Sequence, residues 1–155
     1  VGMVLVLKLV ELLRGRTVDF DRARATARAY DPAVWETEIH RAYGPAAQGI
    51  IDMEAKARKN ETTARLERIN VIETRWNEIG ALLAALPSSE TVMKLLRSLE
   101  APCLPAEIGV DGDLLRDTLL YCKEVRARYT ILQLLWALDM LEPLAEELLA
   151  QLEQD

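Results

Sequence analysis

Aromatic residues are nearly missing from this 155-residue chain: three Trp, four Tyr and one Phe make up 5% of it. Glycine and proline are scarce as well, at seven and six residues, and the prolines fall between apolar-periodic segments. With Leu and Ala dominant, these shortages point to an all-α fold, a multi-helix bundle in a single domain spanning 1–155. Histidine occurs once, and a metal site wants a second His or a clustered carboxylate at ligand spacing. His40, four residues after Glu36, therefore reads as an exposed or partner-facing imidazole, and a single His also speaks against a Cys–His nucleophile. The two cysteines, Cys103 and Cys122, have no pairing or metal spacing, which makes a reducing cytoplasm the expectation. No glycine-rich phosphate loop is present: Gly109 and Gly112 lie in a loop with no apolar strand before them. Positive charge is also in short supply, and a formal net charge of −6 speaks against a nucleic-acid partner.

Apolar surface, by contrast, is plentiful, since half of the residues are hydrophobic. From Val1 to Leu13 the chain reads VGMVLVLKLVELL, with Val, Leu or Met at ten of thirteen positions. A surface helix shows one apolar stripe, so this one expects burial on nearly all sides. Either it is the central helix of a small bundle, or a further part of a longer protein covers its second face. A membrane span needs about 20 apolar residues, and this run is shorter and carries Lys8 and Glu11. It has no basic leader before it and no small-residue cleavage site after it, so a signal peptide is not supported either.

The punctuation divides the rest into helices. The first ends near Arg14 at Gly15, and a short one follows through Asp21 to Tyr30. Asp31 and Pro32 suit a cap and a first helical position, with Trp35, Ile39 and Tyr43 as the buried stripe. A helix from about Ala46 to Lys59 precedes polar, cap-forming residues at Asn60 to Thr63 that suggest either a break or a kink. Leu66, Ile69, Ile72, Trp76, Ile79 and Leu83 then predict one long helix. Ser89 is placed to cap a helix through Val92, Leu95, Leu96 and Leu99. Residues 101–113 read as a loop with a fixed docking site or a function of its own. A helix through Leu115, Leu119 and Cys122 ends near Arg128. The segment from Thr130 to Leu141 is again apolar almost all round, with Thr130 placed to cap it. Pro143 opens the last helix, which carries Leu144, Leu148 and Leu152. The buried needs of the first helix and of Thr130 to Leu141 predict a homo-oligomer.

Charged clusters read mostly as solvated helix faces. These are Arg22, Arg24 and Arg28 beside Asp21; Lys56, Arg58 and Lys59 beside Glu54 and Glu61; and the acidic pairs Glu36–Glu38 and Glu146–Glu147. Arg126 and Arg128, with Tyr129 and Thr130, stand apart at a junction between helices. There arginines can reach helix-end carbonyls or bind an anion of a substrate.

Several short stretches, in order, resemble the C-terminal end of bacterial sn-glycerol-1-phosphate dehydrogenases. That family belongs to the iron-containing alcohol dehydrogenase and dehydroquinate synthase-like superfamily. The matching pieces are Val1-Gly2, VWETEIHRAYG at Val34 to Gly44, RW-x-EI at Arg75 to Ile79, and Leu96-Arg97 followed by Ala101-Pro102. Pro105, Glu107-Ile108-Gly109 and Arg126-x-Arg128-Tyr129-Thr130 complete the series. The resemblance implies a dehydroquinate synthase-like helical C-terminal domain of a two-domain oxidoreductase of phospholipid metabolism, acting on glycerol 1-phosphate with NAD(P) and a divalent metal, zinc or nickel. In the family a metal-binding histidine in a His-Gly-x-x-Val-Gly stretch leads into the long buried helix. It also implies that the nucleotide-binding domain and the metal ligands, an aspartate and two histidines, lie before Val1. On that reading the chain holds no catalytic, cofactor or metal residue, with Arg126 and Arg128 as its only substrate-contact candidates. Alone it is expected to be inactive. The alternative is a free-standing helical interaction or oligomerisation module.

Overall fold

The computed structural model describes residues 1–110 and 112–153. Ten α-helices account for most of them: α1 (Gly2–Arg14), α2 (Phe20–Arg28), α3 (Pro32–Tyr43), α4 (Ala47–Ala57), α5 (Thr62–Thr74), α6 (Trp76–Ala84), α7 (Ser89–Ser98), α8 (Gly112–Tyr121), α9 (Ile131–Ala137) and α10 (Leu141–Leu152). Short 3-10 turns at Gly44–Ala46, Pro105–Ile108 and Cys122–Glu124 join some of them. No strand occurs among the described residues, so the chain is all-α.

α1 is the central helix. Val4, Leu5, Leu7, Leu9, Val10 and Leu13 are buried, under cover supplied by α6, α7, α9 and α10 of the same chain. The cover that its composition demands is therefore internal, and the apolar α9 is likewise enclosed, with Leu132, Gln133, Leu134, Leu135 and Ala137 buried. The physical premise for a partner over these two segments thus falls away. α7 is fixed to α1 at one end by Glu11, whose carboxylate accepts the Ser89 N–H at 2.6 Å and the Ser89 hydroxyl at 2.8 Å. At the other end the Val1 backbone nitrogen lies 3.4 Å from the Pro102 carbonyl, so the 101–110 segment sits beside the start of α1.

The main core joins α1, α2, α5, α8, α9 and α10. A smaller one, built on Trp35, Ile39, Ala47 and Ile50, belongs to α3 and α4, with Tyr30 and Tyr121 packed against it. Asp31 starts α3 as expected: its carboxylate accepts the Ala33 N–H at 2.9 Å, with Pro32 in the first turn. Asp31→Ala should cost about 1 kcal/mol in urea-induced unfolding, as cap losses do. An unchanged midpoint would mean that α3 does not depend on this cap.

Several boundaries differ from the periodicity. The long helix over 66–83 is two helices, broken at Arg75. The Thr74 hydroxyl donates back to the Asn70 carbonyl at 2.8 Å, which competes with the helical ladder. Past the break, Trp76 meets the Phe20 ring edge-on at 6.0 Å. The cap of α7 is Ser88, whose hydroxyl accepts the Thr91 N–H at 3.1 Å; Ser89 is the residue held by Glu11. Thr130 precedes α9 without a side-chain cap bond. The apolar run that it opens divides at Asp139, which takes a left-handed φ of 58°, and α10 starts at Leu141, ahead of Pro143. The helix expected to reach Arg128 stops at Tyr121. Within the 101–113 loop, Pro105–Ile108 forms a 3-10 turn, and Asp111 lies outside the described residues. Glu107 holds that loop by pairing with Arg97 at 2.6 Å and accepting the Cys103 N–H at 3.1 Å.

Residues 76–98 are long and apolar enough to cross a membrane by length and composition. They form two helices, however, with the chain interrupted between Ala84 and Ser89.

Candidate functional site

Charged and polar side chains converge where the smaller core meets the main one. α4 ends at Arg58, a non-glycine residue held at φ 54°, a conformation that costs an L side chain of order 1 kcal/mol. That turn brings the next two residues, Lys59 and Asn60, inward rather than into solvent. Glu124 waits for them on the 3-10 turn Cys122–Glu124 and is itself buried. One of its oxygens accepts from the Lys59 ammonium and, at 3.0 Å, from the Asn60 amide; the other accepts from the Lys123 ammonium. Lys59 is also 3.0 Å from Glu54 on α4, and the second Glu54 oxygen accepts the Asn60 backbone N–H at 2.6 Å.

Aromatic faces complete the cluster. The guanidinium of Arg65, only 2% exposed, lies 3.8 Å from the centroid of Trp136 and 5.3 Å from that of Tyr30. The Lys123 ammonium is 4.6 Å from the same Trp136 ring. Ring quadrupoles attract such cations, and more strongly once water is excluded. Gln133 donates weakly to the Lys123 carbonyl at 3.5 Å. Four buried polar atoms, among them Trp35 Nε1 and Arg65 Nε, have no hydrogen-bond partner among the described residues.

The electrostatics follow from burial and from these pairings. Burial alone would raise the Glu124 carboxyl, but the ammonium groups of Lys123 and Lys59 outweigh it and hold the group down at about 2. Burial lowers Lys123, opposed by Glu124, and brings Arg65 down to about 10. Tyr30 is pushed well above the usual phenol range, first by burial and then by the charges of Glu124 and Glu54. It stays a neutral phenol.

Beside this cluster opens a cleft of about 360 Å³ between α3, α4 and the start of α5, lined by Tyr30, Trp35 and Ile51, with Glu54 and Asn60 reaching both cleft and cluster. Chemically the cluster is a closed network: Glu124 is enclosed by cations, and no nucleophile is paired with a base in the cleft. It fixes the end of α4 onto the main bundle.

The residues that the sequence singled out lie elsewhere. Arg126 and Arg128 are exposed between the Cys122–Glu124 turn and α9. Neither bonds a helix-end carbonyl or a carboxylate among the described residues. His40 is exposed on α3. Lys59 corrects the reading of its cluster as a solvated face, since its side chain is 12% exposed and engages two carboxylates. The other clusters are also tied down. Arg24 pairs with Glu73, Arg22 with Asp139, Arg16 with Glu147 and Arg116 with Glu146. Glu38 bonds Arg41 at 2.8 Å and the Tyr121 hydroxyl at 3.1 Å. The signal for Arg65 was available: with Ile69 and Ile72 it forms an i, i+4, i+7 stripe, a charge placed on an apolar face. Glu124 had no such signal, because its burial depends on where the 3-10 turn lands.

Comparison with models of protein families, with curated proteins and with solved structures returned no match.

Proposed function

We propose that this chain is the helical C-terminal domain of an NAD(P)-dependent sn-glycerol-1-phosphate dehydrogenase-like enzyme, closing the metal and substrate cleft against a preceding nucleotide-binding domain. The observation that carries this reading is the ordered series of sequence matches from Val1-Gly2 to Arg126-x-Arg128-Tyr129-Thr130. Support comes from what the matched residues do. Arg97 and Glu107 hold the 101–110 loop beside the start of α1. Trp35 and Ile39 build the smaller core, and Trp76 packs on Phe20. These are positions at which a domain is held in shape, and an all-α architecture agrees with that role.

Among the described residues no three His, Cys, Asp or Glu side chains converge as a metal site, and the one histidine is exposed on α3. Both groups, the zinc or nickel and the NAD(P), belong on this reading to the rest of a cytoplasmic enzyme. Arg126 and Arg128, exposed and without a carboxylate partner among the described residues, are this chain's candidates for contact with the substrate phosphate.

The test is an assay of NAD(P)⁺ reduction with glycerol 1-phosphate and added zinc or nickel. Turnover is expected from the product of the complete reading frame and none from residues 1–155 alone. Substantial turnover by the isolated chain, or a reading frame without a His-Gly stretch and nucleotide domain upstream of Val1, would overturn the proposal. The second outcome favours a free-standing helical interaction module.

A further inference from the structure

Trp35 and Glu54 line the same cleft of about 360 Å³ between α3, α4 and the start of α5. Each carries a buried polar atom with no hydrogen-bond partner among the described residues: the indole N–H of Trp35 and Oε2 of Glu54. Glu54 Oε2 does lie 3.0 Å from the Lys59 ammonium. That ammonium, however, donates to Glu124 and, at 3.2 Å, to the Asn60 amide oxygen, so its contact with Glu54 is an ion pair without an aligned hydrogen bond. Trp35 is only 9% exposed. Buried polar atoms are seldom left in this state unless a further group serves them. Here one of the two is a donor, and the other is an acceptor that carries charge.

The walls of the cleft add to this demand. Tyr30, Trp35 and Ile51 make its sides apolar, and aromatic faces attract a cation as well as a hydrocarbon body. Its ionic residues are Glu36, Glu54, Arg58 and Glu61. Arg58 is committed to Glu61 at 2.6 Å. Glu36 is exposed and has no ion-pair partner among the described residues. The excess charge at the cleft is therefore negative, which repels an anion and favours an ammonium.

We propose that this cleft binds a small amine that also carries an oxygen acceptor, an amino alcohol being the simplest case. Its ammonium donates to Glu54, with Glu36 adding attraction from the rim. Its oxygen accepts from the Trp35 indole N–H, and its apolar body lies against Tyr30 and Ile51. A recess of this size, with apolar walls and a few polar groups, is the usual form of a small-molecule site.

Isothermal titration of residues 1–155 with three related compounds tests the proposal. 2-Amino-1-phenylethanol has the amine, the oxygen and an apolar body; 2-phenylethylamine lacks the oxygen and 1-phenylethanol lacks the amine. Saturable binding is expected for the first. Loss of the amine should weaken it roughly tenfold or more, the scale of a hydrogen bond to a charged group, and loss of the hydroxyl about threefold. Trp35→Phe keeps a ring but removes the N–H, so it should bind the two amines alike. Glu36→Gln, at an exposed position of α3, should leave the circular dichroism unchanged and weaken both amines but not 1-phenylethanol. The absence of saturable binding, or equal binding of all three compounds, would overturn the proposal. So would amines indifferent to Glu36→Gln, or a folded Trp35→Phe variant that still prefers the hydroxyl. Should Trp35→Phe not fold, the three compounds and Glu36→Gln decide the matter. Arg126 and Arg128 do not line this cleft, so the outcome is independent of the dehydrogenase assay.

Discussion

Glu124→Ala is expected to cost about 3–5 kcal/mol of folding free energy in urea unfolding, the range for removing one partner of a buried ion pair. The cost lies in what remains. Lys59 and Lys123 would be left in a low-dielectric seam with two positive charges and a third cation, Arg65, on the same Trp136 ring as Lys123. Glu54 compensates only Lys59. Glu124→Gln should be milder, because an amide oxygen still accepts from one of these donors, but it too removes the counter-charge. A loss below about 1 kcal/mol for the alanine variant would show that the ammonium groups reach water and that the seam is not closed.

The same group sets an acid limit. Glu124 titrates near 2 in the fold against an ordinary value of 4.5, so the unfolded chain binds its proton more readily. The stability contributed by the carboxylate is therefore complete above about 4.5 and is lost as the pH falls from there toward 2. Glu38 and Asp117 are lowered for a related reason, their hydrogen bonds to Arg41, and act in the same direction. They are exposed enough for salt to screen them. Acid unfolding that persists in high salt should thus belong to Glu124 together with Glu107, which Arg97 and the Cys103 N–H also hold down at about 2, and the Glu124→Gln variant should lose the first of these two contributions.

Legibility in the sequence followed the range of the interactions. Caps and stops set by neighbouring residues were readable: Asp31 and Pro32 open α3, and α1 ends at Arg14 before Gly15. Breaks set by tertiary contacts were not. The break after Thr74 has one local contributor, the Thr74 hydroxyl bonding back to the Asn70 carbonyl, but that weak signal decides nothing without Trp76 reaching Phe20 on α2. Nothing local stops α8 at Tyr121, since the 3-10 turn after it is held by Glu124 meeting Lys59 across 65 residues of sequence. The seam was hidden for a further reason. Lys59 and Glu54 lie in a stretch whose charge alternation is that of any solvated helix face, and only the left-handed turn at Arg58 turns Lys59 inward. Arg126 and Arg128 stand out in the sequence as a cluster, yet they stay in solvent while the buried cations are Arg65 and Lys123.

Leu9→Ala is expected to cost about 2–5 kcal/mol, the range for emptying a fully buried leucine site in a core that relaxes only partly. Leu9 has no exposed surface, whereas Met3 on the same helix is 64% exposed, so Met3→Ala should stay within about 0.5 kcal/mol. The contrast distinguishes two origins for the cover over α1. If α6, α7, α9 and α10 enclose it, residues 1–155 alone show the full cost at Leu9, and fusion to any preceding domain adds little to it. If the cover came from outside, the isolated chain would tolerate Leu9→Ala at under about 1 kcal/mol and the cost would appear only in the longer protein. Urea unfolding of both variants in the chain alone decides between them. The first result would place the origin of α1's burial inside this domain, in the contacts of α1 with α6, α7, α9 and α10.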